Sequence, residues 1–177
     1  PAVINIELQE TILELEAAGV VAEYFTKSPD TPTSTQVQSS EEIRRLPGGF
    51  EDVVRAISIL PGVAQADGGR NDLIVRGGAP SENLYIIDNI EVPNINHFGT
   101  QGASGGPQSY VNLDFVDETS FSTGGFTAKY GDRLSSVLDI SLREGLSDQL
   151  ASKTTISASQ FGFNLEGALP KNGNFLF

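Results

Sequence analysis

The chain has 177 residues, with 11 Lys plus Arg against 23 Asp plus Glu, for a net charge of −12. So acidic a surface repels phosphate backbones, which argues against a nucleic-acid partner bound by counterion release. Cys is absent and His occurs once, which excludes thiol nucleophiles, disulfide frameworks and zinc clusters and leaves any Ser-His-Asp triad dependent on His97 alone.

Residues 1–25 are acidic and apolar; Val3 to Leu8 partly alternates and reads as a strand, and Thr11 to Ala18 reads as strand or helix, with strand preferred. Residues 26–42 carry Pro29 and Pro32 among Ser and Thr, the composition of a linker. A folded region follows over 43–145. Phe50, Val53, Val54, Ile57 and Leu60 share one face at helical spacing, which predicts an amphipathic helix over 50–60. Glu51 and Asp52 would sit in its first turn, and Pro61-Gly62 would end it. Asp67 to Asp72 reads as a tight turn between that helix and a short strand, Asp72 to Arg76, which Gly77-Gly78 stops. Asn83 to Val92 reads as two short strands across a turn at Asp88-Asn89, because Asn tolerates left-handed backbone.

Asn94 to Gln108 is a loop rich in Gly, Ser and Asn, and Val116 to Thr123 and Ser136 to Arg143 read as further strands. Past residue 146, Phe161, Phe163, Leu165 and Leu169 alternate with Gly162, Asn164, Glu166 and Ala168, the period of a two-faced strand. A turn at 170–173 then leads into another strand at Asn174. The expected fold class is α+β: a small mixed β-sheet with one or two short helices, flanked by extended segments.

Little here points to covalent chemistry. His97 lies in the loop Asn94-Ile95-Asn96-His97-Phe98, with no nucleophile and orienting carboxylate at a recognisable spacing. Asp67 to Asp72 superficially matches a calcium loop but lacks the alternating ligands and the Glu at the twelfth position. Arg76-Gly77-Gly78 is not followed by the G-K-[ST] of a phosphate loop; a strand-end Arg there calls instead for an acidic partner if it becomes buried. No catalytic residue, cofactor or metal is expected.

Three segments together resemble the plug domain of TonB-dependent outer-membrane receptors: LPGGFEDVVRAISILPGV (46–63), DLIVRGGAPSENLYIIDNIEVPNINHF (72–98) and STGGFTAKYGDRLSSVLDISLREG (122–145). The order is a helix ending in PGV, a strand ending in (I/V)RG, an LxxIDG-like turn, and a YG segment before S-x-V-L-x-I. The resemblance covers residues 41 to 145. GGFxAKYGDRLSS and the long Gly-rich loop resemble a branch common in Bacteroidetes-like bacteria, where a small carboxypeptidase-regulatory-like β-sandwich often precedes the plug. Residues 1–25 resemble the end of that sandwich, and 146–177 resemble the first strands of the barrel.

The resemblance implies an outer-membrane importer with the plug inside the lumen of its own C-terminal β-barrel and the N-terminus in the periplasm. A scarce ligand, such as a siderophore, cobalamin or an oligosaccharide, would bind at the outer face. A TonB-type energy-coupling protein would open the plug from the periplasm. A barrel of about 22 strands needs about 220 residues for its spans, so the resemblance also implies a chain that continues. Arg76 matches the family's (I/V)RG Arg, which pairs with barrel carboxylates. The family's second plug Arg is Thr123 here, so Lys129 and Arg133 become the substitute lock candidates. The turn Gly of the IDG-like motif is Asn89.

Gly19, Val20 and Val21 are the candidate coupling box; the alternative for them is a strand closing the preceding domain. Pro80, Ser81, His97, Phe98 and Gln101 are the candidate ligand contacts; their alternative is loop packing against the barrel wall. The rival function is a barrel-less secreted or periplasmic binding or adhesion module.

Overall fold

A computed structural model of the chain describes residues 34–99, 104–156, 161–170 and 173–177. The strands expected in 1–25 lie outside the described residues. A five-stranded sheet is formed by β1 (Thr35–Ser39), β8 (Val116–Ser122), β9 (Ser136–Leu142), β4 (Asn83–Ile87) and β5 (Ile90–Val92), in that order. β4 and β9 are parallel and the other neighbours antiparallel, so the sheet is mixed, as expected. Two short helices, α1 (Ser40–Arg45) and α2 (Val53–Ser58), complete the α+β class.

The central strand explains the layering. β4, Asn83-Leu84-Tyr85-Ile86-Ile87, is apolar nearly throughout because both its faces are covered. Tyr85 and Ile87 belong to the main core with Val53, Val54, Ile57, Leu138 and Ile140. Leu84 and Ile86 point the other way and join Val137 beneath Phe126 and Tyr130. Ile87 pairs with Ile90 across a two-residue turn, in which Asp88 and Asn89 are both left-handed, at φ 51° and 67°. That is the backbone a tight hairpin needs, and Asn89 supplies it without glycine.

Several expectations need correction. The linker read over 26–42 does not extend through its end: Thr35–Ser39 is edge strand β1, paired antiparallel with β8. Ser39 then caps α1. Its hydroxyl accepts from Glu42 N at 3.3 Å, while Ser39 N donates to Glu42 Oε2 at 2.9 Å, a complete capping box. The helix expected at 50–60 starts later. Asp52 is its N-cap, so no acidic residue lies in the first turn, and Phe50 and Glu51 precede it with left-handed backbone. Phe50 is therefore outside the core and exposed, stacked 5.3 Å from the Arg55 guanidinium.

The Asp67 to Asp72 turn closes a hairpin between β2 (Val63–Gln65) and β3 (Leu73–Val75), and so does not join helix to strand. The loop at 94–108 contains a short ladder of β6 (Asn96–His97) with β7 (Gln108–Ser109). Finally, β10 (Ala151–Ile156), β11 (Phe161–Leu169) and β12 (Gly173–Leu176) form a separate antiparallel sheet. β11 and β12 were legible from their pattern; polar β10 was not.

Leu138 is fully buried in β9, the last strand of the plug region, packed in the main core. Leu138→Ala should cost about 2–5 kcal/mol of unfolding free energy, read from the urea midpoint at unchanged slope. A shift below about 0.5 kcal/mol would mean that the core is not assembled around β9.

Candidate functional site

The first group of predicted residues lies at the end of the sheet where β1 enters. Register places Thr35, Ser122, Val137 and Leu84 in one row there, with Asn83 and Ser136 one step beyond. Beyond β3 the chain turns through Arg76 and Gly77, at φ 51° and 83°. Arg76 is exposed, and its guanidinium lies beside Gly124, where an added Cβ would come within 2.9 Å of a terminal nitrogen. Among the described residues that guanidinium has no carboxylate partner. Thr123 N donates to Ser34 O at 3.3 Å, and the Ser34 hydroxyl donates to Gly124 O. Pro80 and Ser81 sit on the 3-10 turn Pro80–Glu82 that leads into β4, so they share this end with Arg76.

Lys129 and Arg133 are engaged elsewhere. Lys129 Nζ donates to Asn89 Oδ1 at 3.1 Å and sits 5.2 Å from the Tyr130 ring; Arg133 pairs with Glu91 at 2.5 Å. Both tie the 124–134 loop to the β4–β5 hairpin. Tyr130 is held by Asp139 Oδ2 at 3.0 Å, and burial raises its phenol pKa.

His97 lies on β6 of the β6–β7 ladder, and Phe98 is the turn residue that follows it. Their rings are 5.7 Å apart, and Tyr110 meets His97 edge-on at the same separation. Phe98 is 84% exposed and left-handed, at φ 54°. The three rings thus form an exposed aromatic ledge, of which Tyr110 was not anticipated. Gln101, Gly19, Val20 and Val21 lie outside the described residues.

Sequence reasoning missed the most densely bonded place, at the opposite end of the sheet. The Asp114 carboxylate, on the 3-10 turn Leu113–Phe115, accepts from Arg44 of α1, from Lys153 of β10, and from Asn164 Nδ2 of β11 at 2.7 Å. Asn112 Oδ1 fixes its backbone, accepting from Asp114 N at 2.9 Å. Next to it, Arg143 donates Nε to Asp114 O at 2.5 Å and grips Glu166 of β11 with two bonds, at 2.7 and 3.1 Å. The forked guanidinium suits that bidentate contact. Burial works to raise the Asp114 pKa, but the Lys153 bond, the charges of Arg44 and Lys153 and the Asn164 amide outweigh it and hold it below the usual carboxylate range. None of these partners is close in sequence, so no local motif announces them.

Among the described residues no three His, Cys, Asp or Glu side chains gather to hold a metal, and no helix is long and apolar enough to cross a membrane. The profile of the family described as TonB-dependent Receptor Plug Domain matches residues 27–136, well over half of the chain. The chain belongs to the TonB-dependent receptor plug family. Plug domains are parts of receptors and transporters and are not enzymes.

No curated protein matches this chain significantly. Among solved structures, this plug is similar in fold to the siderophore receptor PirA from Acinetobacter baumannii, at TM-score 0.56 and 20% identity over 78% of the chain. It is also similar to a mutant of the ferric enterobactin receptor PfeA from Pseudomonas aeruginosa in complex with enterobactin, at 0.54 and 19% over 80%. The copper transporter OprC gives 0.53 and 19% over 77%. The chain spans 23%, 23% and 21% of those three chains.

Removing the Asp114 carboxylate should weaken the hold of the plug on β10–β11. Exposed ion pairs are worth ~0.2–1 kcal/mol and broken buried ones cost ~3–5 kcal/mol, so Asp114→Asn should cost roughly 2 kcal/mol at neutral pH. Because the folded pKa lies below the unfolded one, that contribution is complete above the unfolded value and fades as pH falls through the folded one. Urea titrations of parent and variant should therefore begin to converge once the pH falls below about 4 and meet only below the depressed folded pKa. A gap that persisted undiminished at about pH 2 would show that the carboxylate charge is not what binds the two parts.

Proposed function

We propose that residues 35–145 are the plug, or gate, of an outer-membrane importer opened by energy coupling from the periplasm, and that 146–177 begin its transmembrane barrel. The observation that supports this best is the two-faced sheet β10–β12. Lys153, Asn164 and Glu166 share one face by register and turn it toward Asp114 and Arg143. Ile156, Phe161 and Phe163 share the other face and are exposed. Polar residues against a plug and aromatic residues outward are the alternation of a strand between a lumen and lipid. In water the same face would be an apolar patch with nothing to cover it.

In this reading Arg76, exposed beside Gly124, meets a carboxylate from a later barrel strand, and Lys129 and Arg133 stay with the hairpin they already hold. The ledge of His97, Phe98 and Tyr110, with the Gly-rich loop it supports, contacts the ligand. That ligand is of the class such receptors import, a siderophore, cobalamin or an oligosaccharide. Segment 122–145 favours the Bacteroidetes-like branch. The coupling segment lies before β1, with Gly19 to Val21 the candidate. Pro80 and Ser81 sit at the end of the sheet where β1 enters, which argues for placing them nearer the periplasm than the ledge.

Spin labels test the barrel assignment in the encoded protein reconstituted in lipid. A label at Phe163→Cys should be relaxed mainly by oxygen dissolved in the bilayer, and one at Asn164→Cys mainly by a water-soluble relaxant or by neither. Equal exposure of both labels to the aqueous relaxant would favour a barrel-less binding module instead. For Arg76, Arg76→Ala should raise passive solute leakage through the same protein. Parental leakage and uptake would mark the residue as structural only.

A further inference from the structure

The Asp52 carboxylate is buried, and its two oxygens serve two different elements. Oδ1 accepts from Val54 N at 2.8 Å and Arg55 N at 3.3 Å, closing the first turn of α2. Oδ2 accepts from Ser109 N at 2.8 Å and from Asn71 Nδ2 at 3.0 Å. The same Asn71 amide reaches Asn96 Oδ1 at 3.2 Å, and Asn71 N donates to Gly106 O at 2.7 Å. Asn71, Asn96 and Ser109 are buried too. One carboxylate therefore joins a helix start directly to β7 at the base of the 94–109 loop, and through Asn71 to β6.

Both sides of this joint are conformationally loaded. Gly48, Phe50 and Glu51, just before Asp52, are left-handed, at φ 79°, 50° and 55°, a backbone that Phe and Glu rarely adopt. Asp52 N closes that turn on Gly49 O at 2.9 Å. On the loop side, a Cβ added at Gly106 would lie 2.4 Å from His97 O, and one at Gly105 would lie 1.6 Å from Asp72 Oδ1. The loop base is packed to contact and has no slack.

We propose that Asp52 is the positioning residue that couples the base of the 94–109 loop to the strained turn 48–51 and the first turn of α2. When the loop base lifts, Oδ2 loses the Ser109 donor, and Asn71 loses the Asn96 and Gly106 bonds that hold its amide against Oδ2. The carboxylate is then free to rotate, and the cap and the strained turn loosen with it. The coupling stands on this geometry; its use in relaying ligand contact rests on the reading of the loop given above.

Backbone amide exchange, followed by NMR on the whole 177-residue chain, tests it without any ligand. Four proteins are compared: the parent, Gly106→Ala, Asp52→Ser, and the double variant. Ser keeps a capping oxygen but cannot reach the loop with a second one. Gly106→Ala should speed exchange of the Tyr110 amide, which bonds Ile95 O and not Asp52. Through Asp52 it should also speed Val54 and Arg55 by about tenfold, the scale of one lost buried hydrogen bond.

In the Asp52→Ser background the same substitution should leave Val54 and Arg55 within about twofold, while Tyr110 still responds. The proposal is overturned if Val54 and Arg55 ignore Gly106→Ala while Tyr110 exchanges faster. It is equally overturned if they respond alike in both backgrounds. Gly105→Ala, whose added Cβ meets the rotatable Asp72 side chain first and not backbone, is the alternative wedge if Gly106→Ala does not fold. A Tyr110 amide unmoved by either wedge would remove the tight base on which the coupling depends. Such failures would sink the coupling and leave the ligand-contact reading, which bears on transport, untouched.

Discussion

The parallel pairing of β4 with β9 is the constraint from which the rest of the molecule follows. Antiparallel neighbours can be joined by two residues, as β4 and β5 are through Asp88-Asn89. Parallel neighbours need a long crossover. Here the crossover is the whole stretch 88–135, and it carries β5, the β6–β7 loop, Asp114, β8, and the 124–134 loop over the second cluster. Because Asn83 pairs with Ser136 and Ile87 with Ile140, both strands start at one end. The crossover therefore has to leave from the Asp88 end and return at the Ser135 end, passing over both faces and both ends of the sheet.

Two carboxylates turn this threaded chain into a fixed object. Asp52 is buried and Asp114 half-buried, and each is answered by donors brought from distant segments: Asp52 by backbone and amide groups alone, Asp114 by two cations and an amide. The chemistry differs with the task. Neutral N–H donors hold a charge within the plug without adding a competing ion pair. The salt bridges at Asp114 and the Arg143–Glu166 fork connect the plug to the sheet that follows, where a charge on each side sets register as well as attraction. The acidic balance of the chain is thus partly structural: Asp52, Asp114 and Glu166 are internal fasteners and not only solvated surface.

How much was legible varied with the kind of signal. β4, β5, β8, β9 and β11 carry their own hydrophobic period and were readable. The Ser39-x-x-Glu42 capping box was also written in the sequence, but the Ser- and Thr-rich composition around it concealed it. β1 had no such signature. Thr35-Gln36-Val37-Gln38-Ser39 is polar, with Val37 half exposed, and becomes a strand only because β8 offers it an unpaired edge. The start of α2 was misplaced because periodicity counts apolar positions, whereas the cap depends on which residue turns its carboxylate back on the chain. Asp114, Asn71 and Tyr110 went unremarked because each acts through partners far away in sequence.

The residues alone determined the family, the α+β class and the core strands. Those properties are local or cumulative: composition, period and ordered motifs survive in a one-dimensional reading. Only the tertiary structure decided that Arg44, Lys153 and Asn164 meet on one carboxylate, that Asp52 spans helix and loop, and that Phe161 and Phe163 turn away from the side where Glu166 meets Arg143. The reason is physical. A hydrogen bond or ion pair between distant segments has no pattern of its own in the chain; it exists only after the hydrophobic layers have packed and brought its two halves within about 3 Å of each other.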